Sequence, residues 1–307
     1  MPTVSVVVPT FNRAHLITCA IKSVLSQTYQ DFEIIVVDDG SLDETKKSIQ
    51  KCEDNRIKYI KHQKTKGPGA ARNTGIEASN SDYIAFLDSD DEWLPTKLEK
   101  QLNLFKKVFK KTGLIYCGVE LINQCNRTVI ERWMPKSRGY VLEKNLSANF
   151  IVSGSSTVMV RSDVLKKAGR FDESLPSCED WDLWIRIARY YEFDFVPEIL
   201  VNCFSHYQRI SSDFKRVISG LTLFSKKYQK EIYKQRNSVK AKHFFHLGNH
   251  FCYYGDGSFA KQYLLKAFNI YPINPKYFFS LVFFTFFGLK VYTNLSSLTR
   301  PLRHKIL

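Results

Sequence analysis

Residues 86–91 read Phe-Leu-Asp-Ser-Asp-Asp, which sets Asp88, Asp90 and Asp91 directly behind an apolar run. Carboxylates at this spacing suit a hard cation such as magnesium or manganese, and a cation held there can bridge a diphosphate. The same acids could instead face the N-terminal dipole of a helix beginning near Pro95. A second acidic pair, Glu179-Asp180, opens a helical pattern running to Tyr191. A carboxylate there can cap the helix and favour its N-terminal dipole. Asp39 and Arg72 add an acceptor and a cation suited to a nucleobase edge or a phosphate. The plainer role for Arg72 is that of a solvated helix residue. Trp181 and Trp184 could floor a ligand, although among Leu183, Ile185 and Ile187 at least one belongs to a core.

The elements that must position these groups alternate. A β-branched run at 4–8, a repeat of the strand signal at 33–37 and further candidates at 57–61 and 83–87 predict strands, and the segments 13–27, 41–52, 70–78 and 95–111 predict helices. Strands alternating with helices over about 110 residues predict a mostly parallel sheet with helices on both faces, whose ligands bind at the carboxyl ends of the strands. The polar clusters 9–13, 38–41 and 88–91 lie at such ends and should converge on one crevice. Beyond residue 111 the pattern loosens to apolar runs at 114–117 and 156–160 and a helix at 180–191, a region expected to carry a second ligand. From Ser211 strand signals fade. The segment 243–272 reads as a helical hairpin broken at Gly255-Asp256-Gly257, with Gly248, Tyr254, Ala260, Ala267 and Pro272 placed loosely as in one tetratricopeptide-type unit. Residues 277–289 carry no charge and six Phe. They are fewer than the roughly 18 to 20 needed to span a bilayer, and could lie in a membrane surface.

The chain has 307 residues, which at roughly 150 per domain allows two folding units. A hydrophobic fraction of 44% and a charged fraction of 24% argue against a disordered chain. Lys and Arg number 45 against 30 Asp and Glu, so the net charge is +15 and anionic partners are favoured. The excess is local: from Ser211 onward 16 basic residues face 3 acidic ones, whereas the first 210 residues hold 29 and 27. No recognised nucleic-acid module accompanies the charge, so nucleic acid is not an expected partner. Seven cysteines, odd in number and without a Cys-x-x-Cys pair, argue against a disulfide framework or a structural zinc site. Met1 leads straight into a strand pattern without the flank and cleavage site of a secretory signal, so a cytoplasmic location is expected and the sequons at Asn126, Asn145 and Asn294 are chance matches.

Four ordered segments resemble the successive signatures of family 2 glycosyltransferases. They are Val4-Ser5-Val6-Val7-Val8-Pro9-Thr10-Phe11-Asn12-Arg13, Val36-Val37-Asp38-Asp39-Gly40-Ser41, Gly69-Ala70-Ala71-Arg72-Asn73-Thr74-Gly75 and Phe86-Leu87-Asp88-Ser89-Asp90-Asp91. A fifth follows in Gly169-Arg170-Phe171-Asp172-Glu173, with Glu179-Asp180-Trp181-Asp182-Leu183-Trp184 behind it. The resemblance covers about residues 3 to 211. It implies the GT-A fold, an α/β Rossmann-like mixed, mostly parallel sheet flanked by helices, here with a helical C-terminal extension. By the same resemblance Pro9, Phe11, Asp39 and Arg72 hold the nucleobase and ribose. Phe11 replaces a frequent Tyr, which keeps stacking and loses a hydroxyl contact. Asp88 matches a nucleotide or ribose contact, Asp90 the metal ligand, and Asp91 a residue that orients the loop. Asp180 matches the general base, Glu179 a supporting carboxylate, and His206 a late histidine near metal and diphosphate.

The resemblance thus implies an inverting transfer, dependent on manganese or magnesium, from a nucleotide-sugar, foremost a uridine diphosphate sugar. The acceptor would be a glycan or lipid-linked glycan, in surface polysaccharide synthesis. The expected organisation is a catalytic region at 1–211, with a nucleotide-sugar-binding half at 1–112 and an acceptor-binding half at 113–211. A basic helical region at 212–307 follows, able to make peripheral contact with the inner face of the membrane. A Phe-built surface for a protein partner is the alternative use of that region. The sequence carries no signal for an oligomeric state. A non-catalytic glycan-binding or scaffold subunit that kept the fold is the alternative function, against which Asp90 and Asp180 stand intact. A sugar nucleotidyltransferase would resemble its relatives in a Gly-rich first loop, where this chain has Pro9-Thr10-Phe11-Asn12-Arg13. A nicotinamide dehydrogenase would need Gly-x-Gly-x-x-Gly there.

Overall fold

A computed structural model describes residues 1–108, 110–205 and 213–299. They form two compact units, the first built from 1–141, 151–174 and 179–205 and the second from 142–150, 175–178 and 213–299.

The first unit begins with strand β1 (Val4–Thr10), helix α1 (Ile17–Leu25), β2 (Phe32–Asp38), α2 (Thr45–Gln50), β3 (Ile57–Lys61), α3 (Pro68–Ala78) and β4 (Tyr83–Phe86). Then come β5 (Asp91–Trp93), α4 (Lys97–Lys107), β6 (Thr112–Asn123) and β7 (Val129–Trp133). After α5 (Leu142–Ser147), which belongs to the second unit, the first resumes with β8 (Met159–Arg161), α6 (Ser162–Ala168), α7 (Glu179–Ala188) and β9 (Glu192–Ser205). The strands form one nine-stranded sheet in the order β3-β2-β1-β4-β8-β6-β9-β5, with β7 paired to β6. The first four are mutually parallel, whereas β8 runs antiparallel between β4 and β6, and β5 antiparallel to β9.

Every residue of β1 and β2 is buried, as a parallel strand covered on both faces requires. Their register pairs Thr10 with Asp38, and Val7 pairs with Phe86 of β4, so the loops that follow β1, β2 and β4 open at one sheet edge. Helix α3 starts at Pro68, whose fixed φ suits a first helical turn, directly after Gly67 at φ +100. It lies so close to β1 that a Cβ on Gly75 would fall 2.3 Å from Val7 Cγ1. This close approach brings Arg72 to the end of the sheet.

Two elements depart from the expected pattern. Asp91 starts β5, and the next helix begins only at Lys97, so the acids of 88–91 do not cap it. β9 runs through Pro197: its pairing to β6 jumps from Cys117–Val196 to Gly118–Ile199, a bulge that accommodates the missing N–H. Gly118 is needed there, because a Cβ would meet Glu198 O at 2.8 Å.

The second unit is helical, with α8 (Phe214–Tyr233), α9 (Asn237–Tyr253), α10 (Gly257–Ile270) and α11 (Pro275–Thr299). Asp213 caps α8 by accepting from Arg216 N–H, and Asp256 caps α10 by accepting from Phe259 N–H. The α9–α10 hairpin closes on Gly248, where a Cβ would lie 3.0 Å from Leu264, with Ala260 and Ala267 fully buried. α11 is interrupted at Gly288, φ +71. Among the described residues no helix is long and apolar enough to cross a membrane.

Candidate active site

The turn after β4 is fixed by one small residue from a distant segment. Asp88 N–H donates to Ser156 Oγ (3.1 Å), and that hydroxyl donates to Asp91 Oδ2 (2.6 Å). Asp91 N–H closes the turn on Asp88 O at 3.0 Å, and Trp93 Nε1 donates to Ser156 O at 2.8 Å. Behind it Gln101 donates to Thr157 O at 2.9 Å and accepts from the fully buried Lys97 ammonium at 2.9 Å. Burial pushes Lys97 down to about 8. Asp91 therefore serves the turn, while Asp88 and Asp90 are partly exposed around it.

Arg72 joins the two acidic motifs. Its Nη2 donates to Asp88 Oδ1 at 2.7 Å and its Nη1 to Glu179 Oε1 at 2.8 Å, with the guanidinium 5.3 Å from the centre of the Phe171 ring. The side chain is buried, contrary to a solvated helix residue. Burial alone would lower its pKa, yet the charges of Asp88 and Glu179, and of Asp180 beyond them, raise it overall. The neighbouring Asn73 locks the loop that presents Phe171. It accepts from Phe171 N–H at 2.9 Å and donates to Phe171 O (2.9 Å) and Glu173 Oε1 (2.7 Å).

Asp180 lies in the first turn of α7 and accepts from Trp181 N–H at 2.6 Å. Burial first and the Glu179 charge second push its pKa up to about 7, against the lowering influence of Trp181 N–H and Arg72. Ser153 and Gly154 turn through left-handed backbone, φ +62 and +53. A Cβ on Gly154 would lie 3.4 Å from Asp180 Oδ2 and 4.0 Å from Asp88 Oδ2. Both carboxylates thus face the space that this glycine leaves open. Trp181 and Trp184 are both buried and form no sugar floor; the Trp184 ring meets Phe171 edge-on at 6.3 Å.

On the β1–β2 side, Pro9 is buried within β1 and the Phe11 ring just beyond the strand is 42% exposed. The Asp39 carboxylate accepts from Lys66 N–H (2.9 Å) and Gly67 N–H (2.7 Å) and lies 2.7 Å from His62 Nδ1. His62 Nε2 contacts Thr74 Oγ1 at 2.9 Å, which ties Asp39 to α3. Asn12 bridges the first two loops, its N–H donating to Ser41 Oγ and its Oδ1 accepting from Leu42 N–H. His206 falls outside the described residues.

The residues present fit a hard divalent cation. Asp88 and Asp90 are oxygen donors two positions apart, and the cradle at Gly154 is left open beside Asp88. Among the described residues no group of three or more His, Cys, Asp or Glu side chains is arranged to hold a metal. One or two carboxylates completed by substrate phosphates is how magnesium is commonly held.

The sequence matches the family described as Glycosyl transferase family 2 over residues 5–169. An uncharacterised glycosyltransferase of Rickettsia typhi is 35% identical over 209 residues, 67% of this chain, which spans 64% of that relative's length. The Escherichia coli protein WfgD, a UDP-Glc:alpha-D-GlcNAc-diphosphoundecaprenol beta-1,3-glucosyltransferase, is 33% identical over 61% of this chain and 70% of its own length. Among solved structures, Staphylococcus aureus TarS 1-349 in complex with UDP-GlcNAc superimposes with a TM-score of 0.66 over 96% of this chain and 91% of that one, at 17% identity. The mannosyltransferase PcManGT of Pyrobaculum calidifontis, in complex with GDP-Man and Mn2+, gives 0.59 over 96% and 84%, at 16% identity. The fold is therefore GT-A with a helical C-terminal region.

Proposed function

Because the chain belongs to glycosyl transferase family 2, we propose that it moves a sugar with inversion from a nucleotide-sugar to a hydroxyl of a glycan or lipid-linked glycan. A uridine diphosphate sugar is the leading donor and an undecaprenol-diphosphate glycan the leading acceptor, since those are the substrates in the name of WfgD. A place in surface polysaccharide synthesis follows from that acceptor. The catalytic region is 1–211, its donor half 1–112 and its acceptor half 113–211.

The single observation that carries this reading is the Asp88–Arg72–Glu179 bridge with Asp180 across the Gly154 gap. Inversion requires the acceptor oxygen to approach the anomeric carbon opposite the departing diphosphate while a positioned group takes its proton. Asp180 is that base, with a pKa near working pH, where a carboxylate is both deprotonated enough and basic enough to act. Glu179, engaged with Arg72, raises the basicity of its neighbour and does not itself take the proton. Phe11 offers its exposed ring to the nucleobase, Pro9 and Asp39 shape the loops around it, and Arg72 holds Asp88 toward the ribose side. Asp90, joined by His206, would hold manganese or magnesium, which when bound supplies positive charge to the leaving diphosphate.

The test is Asp180→Asn. Donor binding, read by thermal shift with a panel of nucleotide-sugars and manganese, should be retained while transfer is lost. Normal turnover in that variant removes Asp180 from the mechanism.

A further inference from the structure

Helix α11 has two apolar faces, and only one of them is covered. On the inner face Tyr277, Phe284 and Tyr292 are buried. The Tyr277 ring lies 4.9 Å from Phe245 of α9, and Tyr292 Oη donates to Asn249 of α9 at 2.9 Å. On the outer face Phe279 is 65% exposed, Phe286 79% and Phe287 57%. Phe279 and Phe286 are two helical turns apart and so share one stripe. From Tyr277 to Leu289 no residue carries a charge. A helix apolar all round belongs in a core or against lipid, not with one side in water.

Charge selects the occupant. The chain from Ser211 onward has 16 basic and 3 acidic residues. Exposed lysines occur on every helix of the second unit: Lys144 on α5, Lys226 on α8, Lys242 on α9, Lys261 on α10 and Lys276 on the first turn of α11. A second copy of this unit would bring like charge to like. A bilayer rich in anionic headgroups answers both features, drawing the lysines electrostatically and receiving the Phe rings in its acyl boundary. Among the described residues no helix is long and apolar enough to cross a bilayer, so the contact proposed is one along its surface.

We infer that the outward face of α11, built on Phe279, Phe286 and Phe287, is a docking surface for an anionic lipid bilayer, with the exposed lysines of the second unit supplying the electrostatic attraction. The inference does not depend on the proposed transfer reaction, because its readout is binding alone.

The experiment is co-sedimentation of the full chain with vesicles of phosphatidylcholine alone or with added phosphatidylglycerol, at low and high salt. Partition onto the anionic vesicles should exceed that onto the zwitterionic ones by about tenfold or more at low salt, and fall as salt rises. The triple variant Phe279→Ser, Phe286→Ser and Phe287→Ser should lower anionic partition by at least about tenfold, since three partly inserted rings are lost. Its thermal melting should match the wild type, because these rings are exposed. The inference is overturned if the wild type does not bind anionic vesicles, or if the variant binds them equally well. A wild-type dimer that the triple variant converts to monomer in light scattering also overturns it, by assigning the face to a second copy.

Discussion

The pKa of Asp180 makes the pH profile of the reaction a direct probe of the site. A base acts only when deprotonated, and a carboxylate raised to about 7 is about one-tenth deprotonated at pH 6 and about nine-tenths at pH 8. Donor kcat/KM, which reports the free enzyme, should therefore climb about tenfold between those two values. A carboxylate near its ordinary value of about 4 would give a flat profile over the same range. The like charge of Glu179 is the second cause of the shift, after burial, so Glu179→Gln should move the acid limb to lower pH. The stability effect has the opposite sense. The native state holds the Asp180 proton more tightly than the unfolded chain, so folding stability falls as pH rises from about 4 to about 7. Asp180→Asn should then be at least as stable as the wild type at pH 8. A profile flat from pH 6 to pH 8, or a limb that Glu179→Gln leaves in place, would refute the assignment.

Removing the Arg72 guanidinium leaves Glu179 buried without its ion pair. Arg72→Met should cost about 3–5 kcal/mol in denaturant unfolding, and a loss below about 1 kcal/mol would contradict the bridge as the site's main strut. The same variant should move the acid limb of Asp180 to higher pH, since Arg72 opposes the shift. Lys97 provides a second titration. Its folded pKa of about 8 lies below its ordinary value of about 10.5, so the wild type gains stability as pH rises between them, and Lys97→Met should lose that slope in urea melts. Identical slopes would place the ammonium in contact with water.

The parallel half of the sheet was legible because its signal is local. Strand β3 spans the same residues, 57–61, as the strand expected there, and the polar clusters behind β1, β2 and β4 fall at one sheet edge once the strands are parallel. The rest of the sheet, where parallel and antiparallel pairs mix, was less legible. Pro197 breaks the pattern of β9, and its strand character comes from long-range pairing with β6 across a bulge. In the candidate site, Ser156 and Gly154 carry no sequence signal, since one acts through a hydroxyl and the other by lacking a side chain. His62 and Lys97 read as ordinary residues of a strand end and a helix; their roles depend on partners 12 to 23 positions away in one case and on complete burial in the other. Arg72 and Asn73 were visible as a motif, but the division of labour between them, one bridging acids and the other locking the Phe171 loop, exists only in the fold.

The most direct measurement is a crystal structure of the chain soaked with a uridine diphosphate sugar and manganese. Asp90 should then ligate the ion, with the diphosphate beside Asp88 and Asp180 on the side of the anomeric carbon away from the leaving group. Donor bound with Asp90 and Asp180 in separate cavities would contradict a single reacting centre.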